Sequence, residues 1–267
     1  MHTRTLALGV VLATALSSAT ALASADAATS TRMVSEAKAG AYQVTAKVNE
    51  TEPVLETTIK IKATVKPAAP GSAVTLQVKY EDRKRWKTID HGRLSNASKV
   101  TFKQEVDSVR ERVYRVVKPA GPGRAAGRGA TEKVSVYGWR SIIGLDNVTA
   151  VGIRPTTVLH INGTDEGFGL QAYGPDPESG RLYESNLNRG CTQFRATAGL
   201  DDTSASTGTG SVQISTDGTP RYSGAFGIGQ SQAVAFPVTE VFRLSITMTA
   251  TNGGIPALGH PELLCNF

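Results

Sequence analysis

Cysteine is nearly absent from this chain: there are two, Cys191 and Cys265, in 267 residues. No histidine or third cysteine stands at metal-ligand spacing to either. His91, His160 and His260 are isolated from one another. Aromatic residues make up only 6% of the chain, few for a broad sugar-stacking platform. No helical period is sustained in the first half. The Gly-x-Ser-x-Gly and His-Glu-x-x-His signatures are missing, and Gly227-Ile-Gly229 lacks the buried strand and following helix that a dinucleotide loop needs. A serine, a histidine and an aspartate can be found in almost any chain of this length, so their presence selects nothing. These absences point away from an enzyme.

The N-terminus is different. Met1 to Arg4 is short and basic, Leu6 to Leu16 is almost wholly apolar, and small residues follow at Ala21–Ala23 and Ala25–Ala27. That order reads as a secretory signal peptide over 1–27, with an apolar run too short to span a bilayer. A retained membrane anchor is the weaker alternative, and no later stretch could span. Residues 28–41 are small and polar and read as a disordered leader. In an exported chain two cysteines favour one disulfide, with free thiols or a metal pair as the alternative. The expected location is outside the cell or in its wall.

Charge divides what remains. Residues 28–138 carry 21 Lys and Arg against 11 Asp and Glu, a net of +10, whereas 139–267 carry 7 against 11, a net of −4. Lysine stops at Lys133. Such a shift, over a length suited to two domains, suggests two modules. The basic half has charge for anionic polymers such as wall teichoic acids, or for a membrane surface. Its ordinary reading is a solvated, Lys-rich sheet face. Nucleic acid is not expected, because no recognition motif is present.

Alternation by two begins at Tyr42. Tyr42, Val44, Ala46 and Val48 form one set, Ile59, Ile61, Ala63 and Val65 a second, and Val74, Leu76, Val78 and Tyr80 a third. Val100 and Phe102, Tyr114 and Val116, and Val134 and Val136 follow. Half-buried strands separated by Pro-Gly and His-Gly breaks predict an antiparallel sandwich over 42–138, with Trp86 on a short strand facing its core. Pro119 to Gly129 reads as a hairpin loop. Beyond Gly138, Val212 and Ile214, Val234 and Phe236, and Phe242 to Met248 mark strands. Asp217-Gly218 marks a hairpin, and Leu264 or Cys265 the start of a last strand. Cys191 to Ala196 reads as a strand entering a core, and Ala198 to Asp202 as the turn leaving it.

Two resemblances sharpen this. Pro67-x-x-Pro-Gly71, Val74-x-Leu76-Gln77, Trp86 and Tyr114-Arg115-Val116 make the first half similar to bacterial immunoglobulin-like modules, usually spacers or adhesive units. The second half resembles the NPCBM family of carbohydrate-binding modules. The residues that carry this are Trp139 to Ile142, Gly167 to Tyr173, Phe194-x-Ala196-x-Ala198-Gly-Leu-Asp-Asp202, Gly210 to Ile214, Asp217-Gly218 and Phe242-x-Leu244-x-Ile246. The resemblance implies a galactose-binding-like jelly roll over 139–267. It departs at Pro256 to Pro261, where family members often carry an Asp-rich, Trp-containing segment.

The expectation is therefore an all-β protein of two β-sandwich domains, immunoglobulin-like and then galactose-binding-like. It would be non-catalytic and bind a carbohydrate or cell-wall polymer through loops at one end of the second sandwich. The alternative is an extracellular structural or adhesive protein whose partner is another protein. Sugar binding needs an aromatic face with polar groups beside it. Tyr173, Tyr183, Tyr222 and His260 lie near expected turns, with Asn188, Arg189 and Asn252 as polar partners. Adjacent Asp201 and Asp202 read as turn caps rather than a catalytic pair. A structural calcium ion there is the one cofactor left open, and it would need more oxygen ligands. Nothing in the sequence fixes an oligomeric state.

Overall fold

Seven strands grow from the alternation of the first half: β1 (Gln43–Val48), β2 (Thr58–Lys66), β3 (Ala73–Tyr80), β4 (Lys87–Arg93), β5 (Lys99–Glu105), β6 (Arg112–Lys118) and β7 (Gly127–Ala130). The computed structural model describes residues 40–174 and 180–267. The expected signal peptide and all of the expected leader before Gly40 lie outside them. β1-β2-β5 form one antiparallel sheet and β4-β3-β6-β7 another. Ile59, Ile61, Val65, Leu76, Tyr114 and Val116 meet between the two, all nearly inaccessible. The order is that of an immunoglobulin-like sandwich with its fourth strand on the larger sheet.

Three details differ from the sequence expectation. β7 is a strand, although Gly127-Arg-Gly129 reads as loop. Its glycines lie against β1 so closely that a Cβ at Gly127 or Gly129 would come 2.1 or 2.2 Å from the carbonyl oxygen of Tyr42 or Val44. Val134 and Val136 are buried but form no regular strand. Trp86 precedes β4 and is only half-buried. It faces away from the core, with the Arg115 guanidinium 4.1 Å and the Lys79 ammonium 5.6 Å from its ring centroid.

Thirteen strands follow. They are β8 (Gly138–Ser141), β9 (Asn147–Val151), β10 (Ile153–Thr156), β11 (His160–Ile161), β12 (Thr164–Asp165), β13 (Gly169–Ala172), β14 (Arg181–Asn186), β15 (Cys191–Leu200), β16 (Thr209–Thr216), β17 (Thr219–Gly227), β18 (Ser231–Pro237), β19 (Arg243–Thr251) and β20 (Pro256–Cys265). One sheet runs β10-β13-β20-β15-β18, with β8 also on β20; the facing sheet runs β17-β16-β19-β14-β9. Leu170, Phe194, Leu258 and Leu263 of the first sheet and Val212, Ile214, Leu244 and Ile246 of the second share one apolar cluster. The result is a second all-β sandwich. Among the described residues no helix is long and apolar enough to cross a membrane.

Cys191 and Cys265 stand directly opposite each other on β15 and β20, joined by a disulfide and buried. β15 extends beyond the expected turn: Ala198, Gly199 and Leu200 stay paired. Gly199 pairs with Ser231 and Ala257 within the strand, and glycine is required there because a Cβ would come 2.4 Å from Ile161. Cys265 ends the last strand rather than beginning it. The Gly259-His-Pro261 step looks like a break, yet the chain passes it through a register shift on β15, with His260 at φ 44°.

Candidate functional site

A concavity lies at one end of the second sandwich, between Tyr173 and Gly174 at the end of β13 and the turn that follows β19. Its volume is about 540 Å³, within the range of small-ligand sites. β10 and β13 pair so that Arg154 stands opposite Gln171. Ile153, Leu170 and Ala172 turn into the core. By alternation, Arg154, Gln171 and Tyr173 take the opposite face. Tyr173 is 46% exposed, and the Arg154 guanidinium lies 5.3 Å from its ring centroid. The Tyr173 N–H donates to the Gly152 carbonyl at 3.0 Å, fixing the backbone beneath the ring.

The opposite wall is the turn Asn252-Gly253-Gly254. Asn252 and Gly253 adopt φ of 51° and 75°. Gly254 has to be glycine, because a Cβ would come 2.2 Å from the Thr209 carbonyl oxygen. The floor includes Arg181 at the start of β14. This side chain is 6% exposed and donates from Nη2 to the Gly174 carbonyl at 2.9 Å. Burial presses its pKa below the ordinary arginine value. The cleft thus offers a half-exposed aromatic ring, a guanidinium, two carboxamides and a polar turn. Its described lining holds no Asp, Glu, His or Cys.

Of the seven expected sugar contacts, Tyr173 and Asn252 meet in this cleft. Tyr183 does not: it is 1% exposed in the core, its hydroxyl 3.5 Å from the Ile142 carbonyl, so it presents no ring to a ligand. Asn188 and Arg189 form a left-handed turn at the far end of β14. Their N–H groups donate to Phe242 and Val241 carbonyls, and Arg189 lies over the Phe242 ring. Tyr222 sits on β17 and donates to Gln232 Oε1 at 3.0 Å; burial raises its pKa. His260 packs edge-on against Phe168, the ring centroids 4.4 Å apart. Arg154, Gln171 and Arg181 were not foreseen. The alternation of Leu170 and Ala172 places Gln171 beside Tyr173, but only the fold brings Arg154 and Asn252 to them.

Asp201 and Asp202 act as turn caps. Asp201 Oδ1 accepts from the Thr203 N–H at 2.8 Å and from the Thr203 hydroxyl; Asp202 Oδ2 accepts from the Gly163 N–H at 2.9 Å. A separate titratable group lies on the first sandwich. Glu111 accepts from Lys133 Nζ at 2.7 Å and from Ser135 Oγ at 3.3 Å. Lys133 holds the Glu111 carboxyl below its usual range, and a hydrogen bond with Glu111 raises that of Glu81. Glu81 and Glu111 border a shallow cleft that also includes Asn266, next to the end of β20.

Residues 135–257 match the model of the NPCBM/NEW2 domain family. No curated protein matches the chain. Among solved structures, the solution structure of the PKD domain from human KIAA0319 aligns with 43% of this chain and 93% of that one. The identity is 17% and the TM-score 0.23, a likeness too distant to bear on the fold.

Proposed function

We propose that the protein is exported, is not an enzyme, and binds carbohydrate through the cleft bounded by Arg154, Gln171, Tyr173 and Asn252. The observation that carries this reading is the exposed Tyr173 ring with polar side chains around it, within residues that match a carbohydrate-binding module family. A pyranose would lay its apolar face on the ring, while the guanidinium and carboxamides bond its hydroxyls.

On this reading residues 42–138 and 139–267 are two modules that meet after Gly138, the first a spacer. The start of β8, which pairs with β20, at Gly138 supports a boundary within a residue of that position. The signal-like N-terminus and the single disulfide support a site of action outside the cell.

The test is a glycan array and a pull-down on purified cell wall with the full chain, followed by Tyr173→Ala and Arg154→Ala. Binding that both variants weaken supports the reading. Retention of a protein instead of any glycan would favour an adhesive role, and hydrolysis of an array glycan would restore catalysis.

A further inference from the structure

The outer face of the β1-β2-β5 sheet is almost entirely lysine and threonine. Lys47 projects from β1, Lys60, Lys62 and Lys66 from β2, and Lys99 and Lys103 from β5, all exposed. Gln43, Thr45, Thr58, Thr64 and Thr101 fill the places between, and Glu105 is the one acid, at the end of the face. The register sets Lys47 directly opposite Lys62, and Lys60 directly opposite Lys103. Like charges so placed repel. Among the described residues no carboxylate pairs with any of the six; the ion pairs of this half involve Arg83, Arg110, Arg112 and Lys133.

Protection of sheet edges does not account for the pattern. Lysines that guard against edge pairing belong on edge strands, yet three of the six stand on β2, the central strand. We infer that this face is a docking surface for a linear anionic polysaccharide. Along β2, Lys60 and Lys62 lie about 6.8 Å apart and Lys66 about twice that beyond Lys62, with neighbouring strands about 4.8 Å apart, so the ammonium groups form a band that a flexible polyanion can follow. Lysine supplies mobile point charges rather than a planar fork, which suits sulfate, phosphate or carboxylate groups without fixed geometry. The face has no arginine or aromatic side chain to stack on bases, as single-stranded nucleic acids require. It also lacks the apolar side chains that enter a membrane interface. This surface is on the other half of the chain from the cleft and does not rest on the carbohydrate reading of that cleft.

The experiment titrates the full chain with heparin and with polygalacturonate, from 50 to 200 mM salt, beside dextran as a neutral control. With about four lysines engaged, the log–log salt slope is about −3 and affinity falls about 50-fold over that range. The triple variant Lys60→Gln, Lys62→Gln, Lys103→Gln removes both repulsive pairs, so it folds at least as well as the wild type. It should lose about 10-fold or more in affinity, with a slope flatter by about 2. A second triple, Lys79→Gln, Lys84→Gln, Lys87→Gln, removes the same charge from the other sheet and its hairpin and should change affinity less than about threefold. Whichever polysaccharide binds more tightly identifies the anionic group. Equal losses from the two triples would reduce the effect to net charge and overturn the proposal. So would no binding to either polysaccharide at 50 mM salt, or tighter binding to duplex DNA or anionic vesicles than to both.

Discussion

Removing the disulfide is the sharpest test of how the second sandwich is held. Cys191 and Cys265 are 74 residues apart in sequence and face each other across β15 and β20. Linking them removes loop-closure entropy from the unfolded chain, worth about 4.5 kcal/mol at 25 °C for a loop of this length in the chain-entropy model. Both sulfurs are buried in the apolar cluster, so Cys191→Ala with Cys265→Ala deletes the link while leaving no polar group unpaired. In a protein of this size each kcal/mol moves the melting temperature by about 2–4 °C. The double variant should melt on the order of 10 °C lower. Its denaturant slope should rise, because the unlinked unfolded chain exposes more surface. The assay is urea unfolding of the oxidised wild type and the double variant. A difference below about 1 kcal/mol would refute the argument that the link acts on the unfolded chain. If the two apolar clusters unfold separately, only the transition of the 139–267 half should move.

Gly169→Ala should destabilise by about 1–3 kcal/mol in thermal or chemical unfolding, because the new methyl would lie 2.2 Å from the Leu258 carbonyl oxygen and 2.4 Å from a Leu159 methyl. Arg112 is 2% exposed, donates to Ser108 Oγ at 2.9 Å and lies over the Tyr80 ring. Arg112→Ala removes these contacts of a nearly buried guanidinium and should cost about 1.5–3 kcal/mol in the same assay. Glu111 is held below its usual range by Lys133, so its contribution is present above the unfolded value of about 4.3 and is lost as pH falls through the lower, folded value. Glu111→Gln should therefore reduce the loss of stability on acidification below about pH 4.3, read from unfolding midpoints at several pH values; an unchanged pH profile would count against the Lys133 pairing.

Much of the fold was legible because alternation and burial coincide. Ile59, Ile61, Ala63 and Val65 are apolar in the sequence and inside in the structure. The strands that escaped notice break that agreement. β7 is read as loop because closeness to β1 demands glycine where a strand normally has side chains. β14 inverts the pattern: Arg181, Tyr183 and Ser185 face inward while Leu182 is half-exposed. Polarity therefore misplaces Tyr183 as a surface residue. The disulfide could be read from a count of two in a chain expected to be exported. The cleft could be read only in part. Tyr173 and Asn252 have the right chemistry, but their meeting with Arg154 depends on the pairing of β10 with β13 and on the turn after β19.

The most direct test is isothermal titration of the full chain and of Tyr173→Ala with the strongest glycan from the array. Tyr173 is 46% exposed and lies outside the apolar cluster of the second sandwich. The account predicts a measurable affinity for the wild type, weakened about 10-fold by loss of the ring, equivalent to about 1.4 kcal/mol, with the melting temperature unchanged. Equal affinity of the two proteins, or no glycan bound by either, would contradict it.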